Sequence, residues 1–392
     1  MFERNDWLMI GAAFLALMGL MGWNYLGKHS RPQVFGAGAE NGPPWYLWPL
    51  VFLLLLVFLS AGLYFGSRYV KKNQAAAAQA EIDQAVAVGP TVALLPRSDA
   101  RPVQVDKINL WDRLADALPH DEHIAFEIGG NEDGISFTLH GSDLGIRAAL
   151  TQVRAEWPGV QQRPIEAATD PAQLPDGWVM WWCECVPATW DKPVTPLSDE
   201  PLRAIFFELK GVMGQGRGLL QVIARNDFGT RKALGESAFA ARASKPDNAG
   251  VRAIRTREAK EFEDRAKRTF LQATIRAVGM ADTPERAQGI ARGLGRAVAA
   301  SFGHSNPVRV VAEGQENPAV AARQMGLARA WGGQELAYLG HLTGQDMLFV
   351  APRLQVASAR SLPADPAMRV VQFDDVAQFM EKETPGDRLP GV

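Results

Sequence analysis

Hydrophobic and polar positions change period several times along the chain, and each change marks an element. From Thr269 to Val278 they alternate: Leu271, Ala273, Ile275 and Ala277 on one face, Gln272, Thr274 and Arg276 on the other. Period two is the mark of a half-buried strand. Gly279 breaks it. Thr283 then offers a hydroxyl to a helix start, and Pro284 suits the first helical position because it has no N–H to leave unpaired. Ala287, Ile290, Ala291, Leu294, Ala297 and Val298 follow at helical spacing, so one face is apolar. Asn306-Pro307 ends the unit and VRVVAE reads as a return strand. The glycines inside the helix suit close packing, and the strand-to-helix turn GMADTPE carries acids where a phosphate needs open amides. This unit is scaffold.

The same reading extends outward. HIAFEI and ISFTLH are strands around the turn GGNEDG. Ser142 and Asp143 start a helix that Pro158-Gly159 stop, and VQQRPI returns as a strand. WVMWWCECV, PLRAIFFELKGV and GLLQVIAR read as strand, helix, strand. From Trp178 to Val311 the order is strand, helix, strand, insertion, strand, helix, strand, which is close to the ferredoxin-like order. The piece from His123 to Ile165 reads as an extra or half copy. The expected class is α+β.

Two uncharged apolar runs precede this region, Trp7 to Gly27 and Tyr46 to Gly66. Each has about 20 residues, enough to cross a hydrocarbon core as helix. Trp and Tyr cluster near their ends, and Arg68, Lys71 and Lys72 follow the second run. The pattern predicts two transmembrane helices in a cell membrane, with both termini and the α+β part on the cytoplasmic side. The expected organisation is an anchor over 1–70, a helical stalk and linker over 71–106, an α+β domain over 107–312 with an insertion near 226–267, and a helical, Pro-rich extension over 313–392.

Composition narrows the chemistry. The chain has 392 residues and a formal net charge of -2, so no global nucleic-acid signature exists. The two cysteines, Cys183 and Cys185, exclude a disulfide scaffold. GWNYLGKHS matches most of a phosphate-binding loop, but His29 stands where a Ser or Thr should hold magnesium, and the stretch ends an apolar run. Cys183, Cys185, His120 and His123 are zinc ligands by type, at loose spacing. Glu127, Glu132 and Asp133 read as edge and turn residues. No catalytic arrangement, cofactor loop or metal site emerges. Two features remain. Arg231, Lys232, Arg242, Lys245, Arg252 and Arg255 concentrate positive charge between Arg225 and Arg257, and are candidates for contact with DNA phosphates or a partner. Trp181, among Trp178, Trp182 and Trp190, is a candidate for stacking on a base or packing on a partner.

HIAFEIGGNEDGISFTLHGSDLGIRAALTQVRAEWPGVQ, behind two apolar runs, resembles the N-terminal region of the TraG-like coupling-protein ATPases of conjugative DNA transfer. PLRAIFFELKGVMGQGRGLLQVIAR, RTFLQATIRAVGMADTPERAQGIARGLGRAVAASF and GGQELAYLGHL resemble the segments that follow there. The resemblance runs roughly from Trp7 to Pro363 and rests on order and texture. In that family a nucleotide loop and motor domain follow; here the sequence closes with PAMRVVQFDDVAQFMEKETPGDRLPGV. The resemblance therefore implies a non-catalytic, membrane-anchored docking subunit for a separate DNA- or protein-translocating ATPase, in contact with lipid and with DNA as a further partner. A ring-shaped motor implies a homo-oligomer. The alternative is a structural interaction protein of an envelope or secretion complex that has no motor.

Overall fold

The computed structural model describes residue 77 and residues 79–357, apart from 99–103, 120–121, 213, 228, 245–247 and 344. One antiparallel sheet of nine strands organises them. A helix over 79–87, α1, leads into β1 (Thr91–Leu95). Next come α2 (Leu110–Ala117), β2 (His123–Asn131), β3 (Gly134–Gly141), α3 (Asp143–Glu156) and β4 (Gln161–Ile165). The second half repeats the sequence of elements with β5 (Val179–Pro187), α4 (Leu202–Val212), β6 (Arg217–Asn226), β7 (Phe270–Ala281), α7 (Pro284–Ala300) and β8 (Val308–Gln315). Two helices, α5 (Thr230–Ala243) and α6 (Ala249–Ala266), stand between β6 and β7. After β8 follow α8 (Pro318–Ala321), β9 (Arg329–Gly332) and α9 (Gly333–Ala337).

The strands lie in the order β4-β1-β3-β2-β6-β7-β5-β8, with β9 beside the start of β7. Each half is thus a β-α-β-β-α-β unit whose first strand sits between its third and fourth. The halves meet through their second strands, β2 and β6, paired from His123↔Arg225 to Gly130↔Gly218.

The fold-class expectation needs correction. No helix among the described residues is long and apolar enough to cross a membrane. The longest, α6, has 18 residues and carries charge along its length. The expected multi-pass membrane protein, its cell-membrane location and its lipid contact therefore lack support and are set aside. The runs Trp7 to Gly27 and Tyr46 to Gly66, on which they rested, lie outside the described residues. The strand–helix–strand units lie in one continuous sheet. The boundary at Lys107 also moves. TVALL, expected as linker, is β1 and pairs with both β3 and β4. That strand completes what read as a half copy. The 313–392 extension contributes a strand, β9, to the sheet.

Side chains alternate across the sheet, so its two sides differ sharply. One side is apolar: Phe126, Ile128, Phe137, Leu220, Val222, Ile275 and Cys183 pack into a single core with Trp111 of α2, Phe206 of α4 and Leu294 of α7. Phe126, Phe137 and Phe206 form a chain of tilted rings about 6 Å apart. The α7 helix comes very close to β5 and β7. A Cβ on Gly279 would meet the Ala291 nitrogen at 2.7 Å, and one on Gly295 would meet the Cys183 sulfur at 2.6 Å. Ser142 caps α3 as expected, accepting from Gly145 N at 3.0 Å. Thr283 does not: its side chain makes no cap bond.

Candidate functional site

The other side of the sheet is polar at its centre. Register sets Thr138 of β3 beside Glu127 of β2, Glu127 beside Gln221 of β6, Gln221 beside Arg276 of β7, and Arg276 beside Glu184 of β5. This is a polar row across five strands. All five side chains are buried. Burial of charge is costly unless each group finds partners. Here each does. Gln221 Nε2 donates to Glu127 Oε1 at 2.8 Å, Thr138 Oγ1 donates to Glu127 Oε2 at 3.0 Å, and Arg276 donates to Glu184 Oε1 at 2.7 Å.

A strap, residues 316–328, lies over this row and supplies the remaining partners. Its Arg323 is almost fully buried. The guanidinium donates to Glu127 at 3.0 and 3.1 Å and to both oxygens of Asp170. The carbonyl of Gln324 accepts from Arg276 at 3.1 Å, that of Val320 accepts from Gln221 at 3.1 Å, and Leu327 N donates to Glu184 at 2.8 Å. Gly326 passes so close to Glu184 that a Cβ there would collide with the carboxylate. Arg323 has φ 51°, a left-handed conformation unusual for a side-chain-bearing residue. The bonds of its guanidinium hold it there.

Electrostatics follow this geometry. Burial alone would raise the Asp170 carboxyl, yet the Arg323 guanidinium, together with the Ala172 N–H and the Thr91 hydroxyl, outweighs it and the net shift is downward. Arg323 is held above its ordinary range, because Glu127 and Asp170 more than offset its burial. His123 and His140 lie on the same side of the sheet. Burial pushes both imidazoles below the usual histidine value. His123 Nε2 contacts the Arg323 carbonyl at 3.0 Å, and His140 Nε2 the Val86 carbonyl of α1 at 2.8 Å. The oxygens of Glu127, Asp170 and Glu184 are occupied by donors, so this arrangement fastens a strap.

Glu127 thus departs from its reading as an edge residue: it is a fully buried member of the row. Nothing in HIAFEIGG announces this, because its partners come from Thr138, Gln221 and Arg323. The zinc-type set does not converge. Cys183 and Cys185 face α7, donating to the Ala291 and Gly295 carbonyls at 3.3 and 3.8 Å, while His123 faces the strap. His120 lies outside the described residues. Among the described residues no three His, Cys, Asp or Glu side chains gather as metal ligands.

The basic candidates gather on a helical hairpin, α5–α6, which forms the insertion expected near 226–267. Asp227 starts it by accepting from Gly229 N and Thr230 N at 2.8 and 3.0 Å. Leu234, Phe262 and Ala266 pack on Phe270 and Ala330 at its base. Arg265, buried, closes on Glu335 at 2.5 Å. Beyond this root the hairpin leaves the sheet. Residues 249–257 are exposed throughout. Phe239 is 75% exposed, and Ile254 and Val251 are exposed with it. Arg231 donates to the Arg268 carbonyl at 3.3 Å, Lys232 faces Glu236, Arg242 pairs with Glu263 at 2.6 Å, and Arg255 with Glu258 at 2.9 Å. Arg252 lies on the exposed stretch, and Lys245 lies outside the described residues. Three of these charges, Lys232, Arg242 and Arg255, therefore have acidic neighbours on the hairpin itself. Trp181 stands apart, half-buried on the α7 side of β5, whereas Trp178 and Trp182 pack with Met180 on the strap side. The tryptophans form no single stacking platform.

No family model matches this chain, and no curated protein matches it.

Proposed function

We propose that this chain is a non-catalytic docking subunit that positions a separate DNA- or protein-translocating ATPase. The observation that carries this reading is the α5–α6 hairpin. It is rooted by a buried ion pair and exposes Phe239 on α5 and Val251 and Ile254 on α6. A rigid arm with exposed apolar residues suits a protein partner. The resemblance in element order to the region before the motor of TraG-like coupling proteins supplies the kind of partner. Any contact of the hairpin with DNA is secondary, since acids neutralise much of its charge.

The test is affinity capture of the full tagged chain from its host, with mass spectrometry, for the wild type and for a Phe239→Asp/Ile254→Asp variant. A stoichiometric ATPase carrying a G-x-x-x-x-G-K-[ST] loop, lost in the variant, supports the reading. Capture of envelope or secretion proteins without an ATPase overturns it and favours a structural interaction protein.

A further inference from the structure

The hydrogen-bonded order of the sheet ends at β4 on one side and β8 on the other. These edges differ. The β4 strand has five residues and includes Pro164, which cannot donate to another strand. The β8 strand has eight residues and no proline, and Val310 and Val311 are exposed on it. Such an edge is a template for another strand.

Its outward groups can be assigned. Ala188 N donates to the Pro307 carbonyl and Glu316 N donates to the Met180 carbonyl, so Pro307 and Glu316 both face β5. Antiparallel strands alternate between inward and outward groups. The register passes from Cys185↔Val310 to Glu184↔Ala312, leaving Val311 as an extra residue. Counting inward from both ends, the N–H and C=O of Val308, Val310, Glu313 and Gln315 point away from the sheet. These four positions are self-complementary. About a two-fold axis, Val308 meets the second copy's Gln315 and Val310 meets its Glu313, each pair forming twice. Both copies carry the bulge at the axis, so the ladder stays in step.

Side-chain charge fits the same register. Arg309 pairs with Val186, on the strap side of the sheet. Gly314 lies on that side too, against the Trp182 ring, and Glu316 follows it opposite Met180. The register places Arg309 across from the second copy's Gly314 and diagonal to its Glu316, at roughly 7–8 Å between backbones, within reach of long side chains. Neither Arg309 nor Glu316 has an ion-pair partner among the described residues, whereas Glu313 is already held by Arg292 at 2.6 Å.

We infer that the edge of β8, which no strand covers among the described residues, pairs antiparallel with β8 of a second copy of this chain, extending the sheet across a two-fold axis with Arg309 and Glu316 as reciprocal partners. The test is sedimentation of the full chain over a concentration series, for the wild type, Arg309→Glu, Glu316→Arg and the double exchange, with circular dichroism to confirm folding. A dimer is expected in the wild type. Each single reversal weakens it about tenfold and the double exchange restores it, since opposite charges across strands attract and like charges repel. Gln315→Pro, which removes one outward donor while leaving the β5 ladder, weakens it as well. A monomer at all concentrations, a dimer indifferent to both reversals, or a double exchange weaker than either single variant overturns the inference.

Discussion

Glu127 and Gln221 are register partners across the joint between the two halves, and the Gln221 amide donates to the Glu127 carboxylate at 2.8 Å. The joint is therefore fastened by side chains as well as by its backbone ladder. Arg323 grips the same carboxylate from the strap. Arg323→Leu would leave Glu127 and Asp170 buried without their cation. The expected loss is about 3–5 kcal/mol of unfolding free energy. Urea unfolding of the variant measures it, and a change below 1 kcal/mol would show that the strap carries little of the stability.

Arg276 and Glu184 give a sharper comparison. Removing either partner strands a buried charge, which costs about 3–5 kcal/mol. Replacing both, as Glu184→Leu/Arg276→Met, removes charge and counter-charge together. The double variant is expected to be more stable than either single one, so a double-mutant cycle should give a large coupling. Simple additivity of the two losses would contradict the pairing.

Two glycines of similar appearance should respond oppositely. Gly279 faces the backbone of α7, where a Cβ would meet Ala291 N at 2.7 Å. Gly279→Ala is expected to cost about 1–3 kcal/mol through overpacking. Gly289, inside α7, has nothing within 4 Å of an added Cβ. Gly289→Ala should stabilise by about 0.5–1 kcal/mol, because alanine loses less freedom in a helix. Thermal unfolding of the two variants reads both signs.

Stability should fall on mild acidification. His123 and His140 are held below their ordinary value of 6.5, burial being the larger cause in each. The groups facing His123 are Asp83, Arg225 and Glu122, with the Arg323 carbonyl on its ring; His140 faces Arg323, Glu127 and Asp170. Below pH 6.5 the unfolded imidazoles take up protons that the folded ones refuse, so the unfolded state gains. The stability present above that pH is lost as pH drops toward the lowered folded values. The midpoint of urea unfolding should therefore decline from pH 7.5 to 5.5, and decline less in His140→Gln. A midpoint flat over this range would refute the assignment.

Most strands of the two halves were legible because alternation is a local property. Leu271, Ala273, Ile275 and Ala277 lie on the apolar side and Thr274 and Arg276 on the other, as the pattern requires. Register is not local, and the polar row exists only through register. Glu127, Gln221, Arg276 and Glu184 read singly as polar positions on separate strands. β1 was missed because TVALL is short and sits between Gly89-Pro90 and a Pro-containing stretch that lacks period. α5 was missed because its apolar positions are mostly alanines, a weak signal of a buried face. One of the hairpin's ion pairs was hidden for the same reason as the row: Arg242 finds Glu263 only once the chain doubles back, whereas Lys232–Glu236 and Arg255–Glu258 are neighbours along a single helix.

The polar row also acts as a vernier for strand pairing. Side chains alternate with period two, so a slip of one residue turns every side chain of a strand to the opposite side. A slipped β7 would drive the Arg276 guanidinium into the packing of Phe126, Phe206 and Leu294, with no acid to receive it. An apolar strand of the same length would carry no such penalty. One guanidinium in the middle of each mismatched alignment thus separates the native pairing from its neighbours by several kcal/mol, and a chain assembled from two look-alike halves has many wrong alignments to reject.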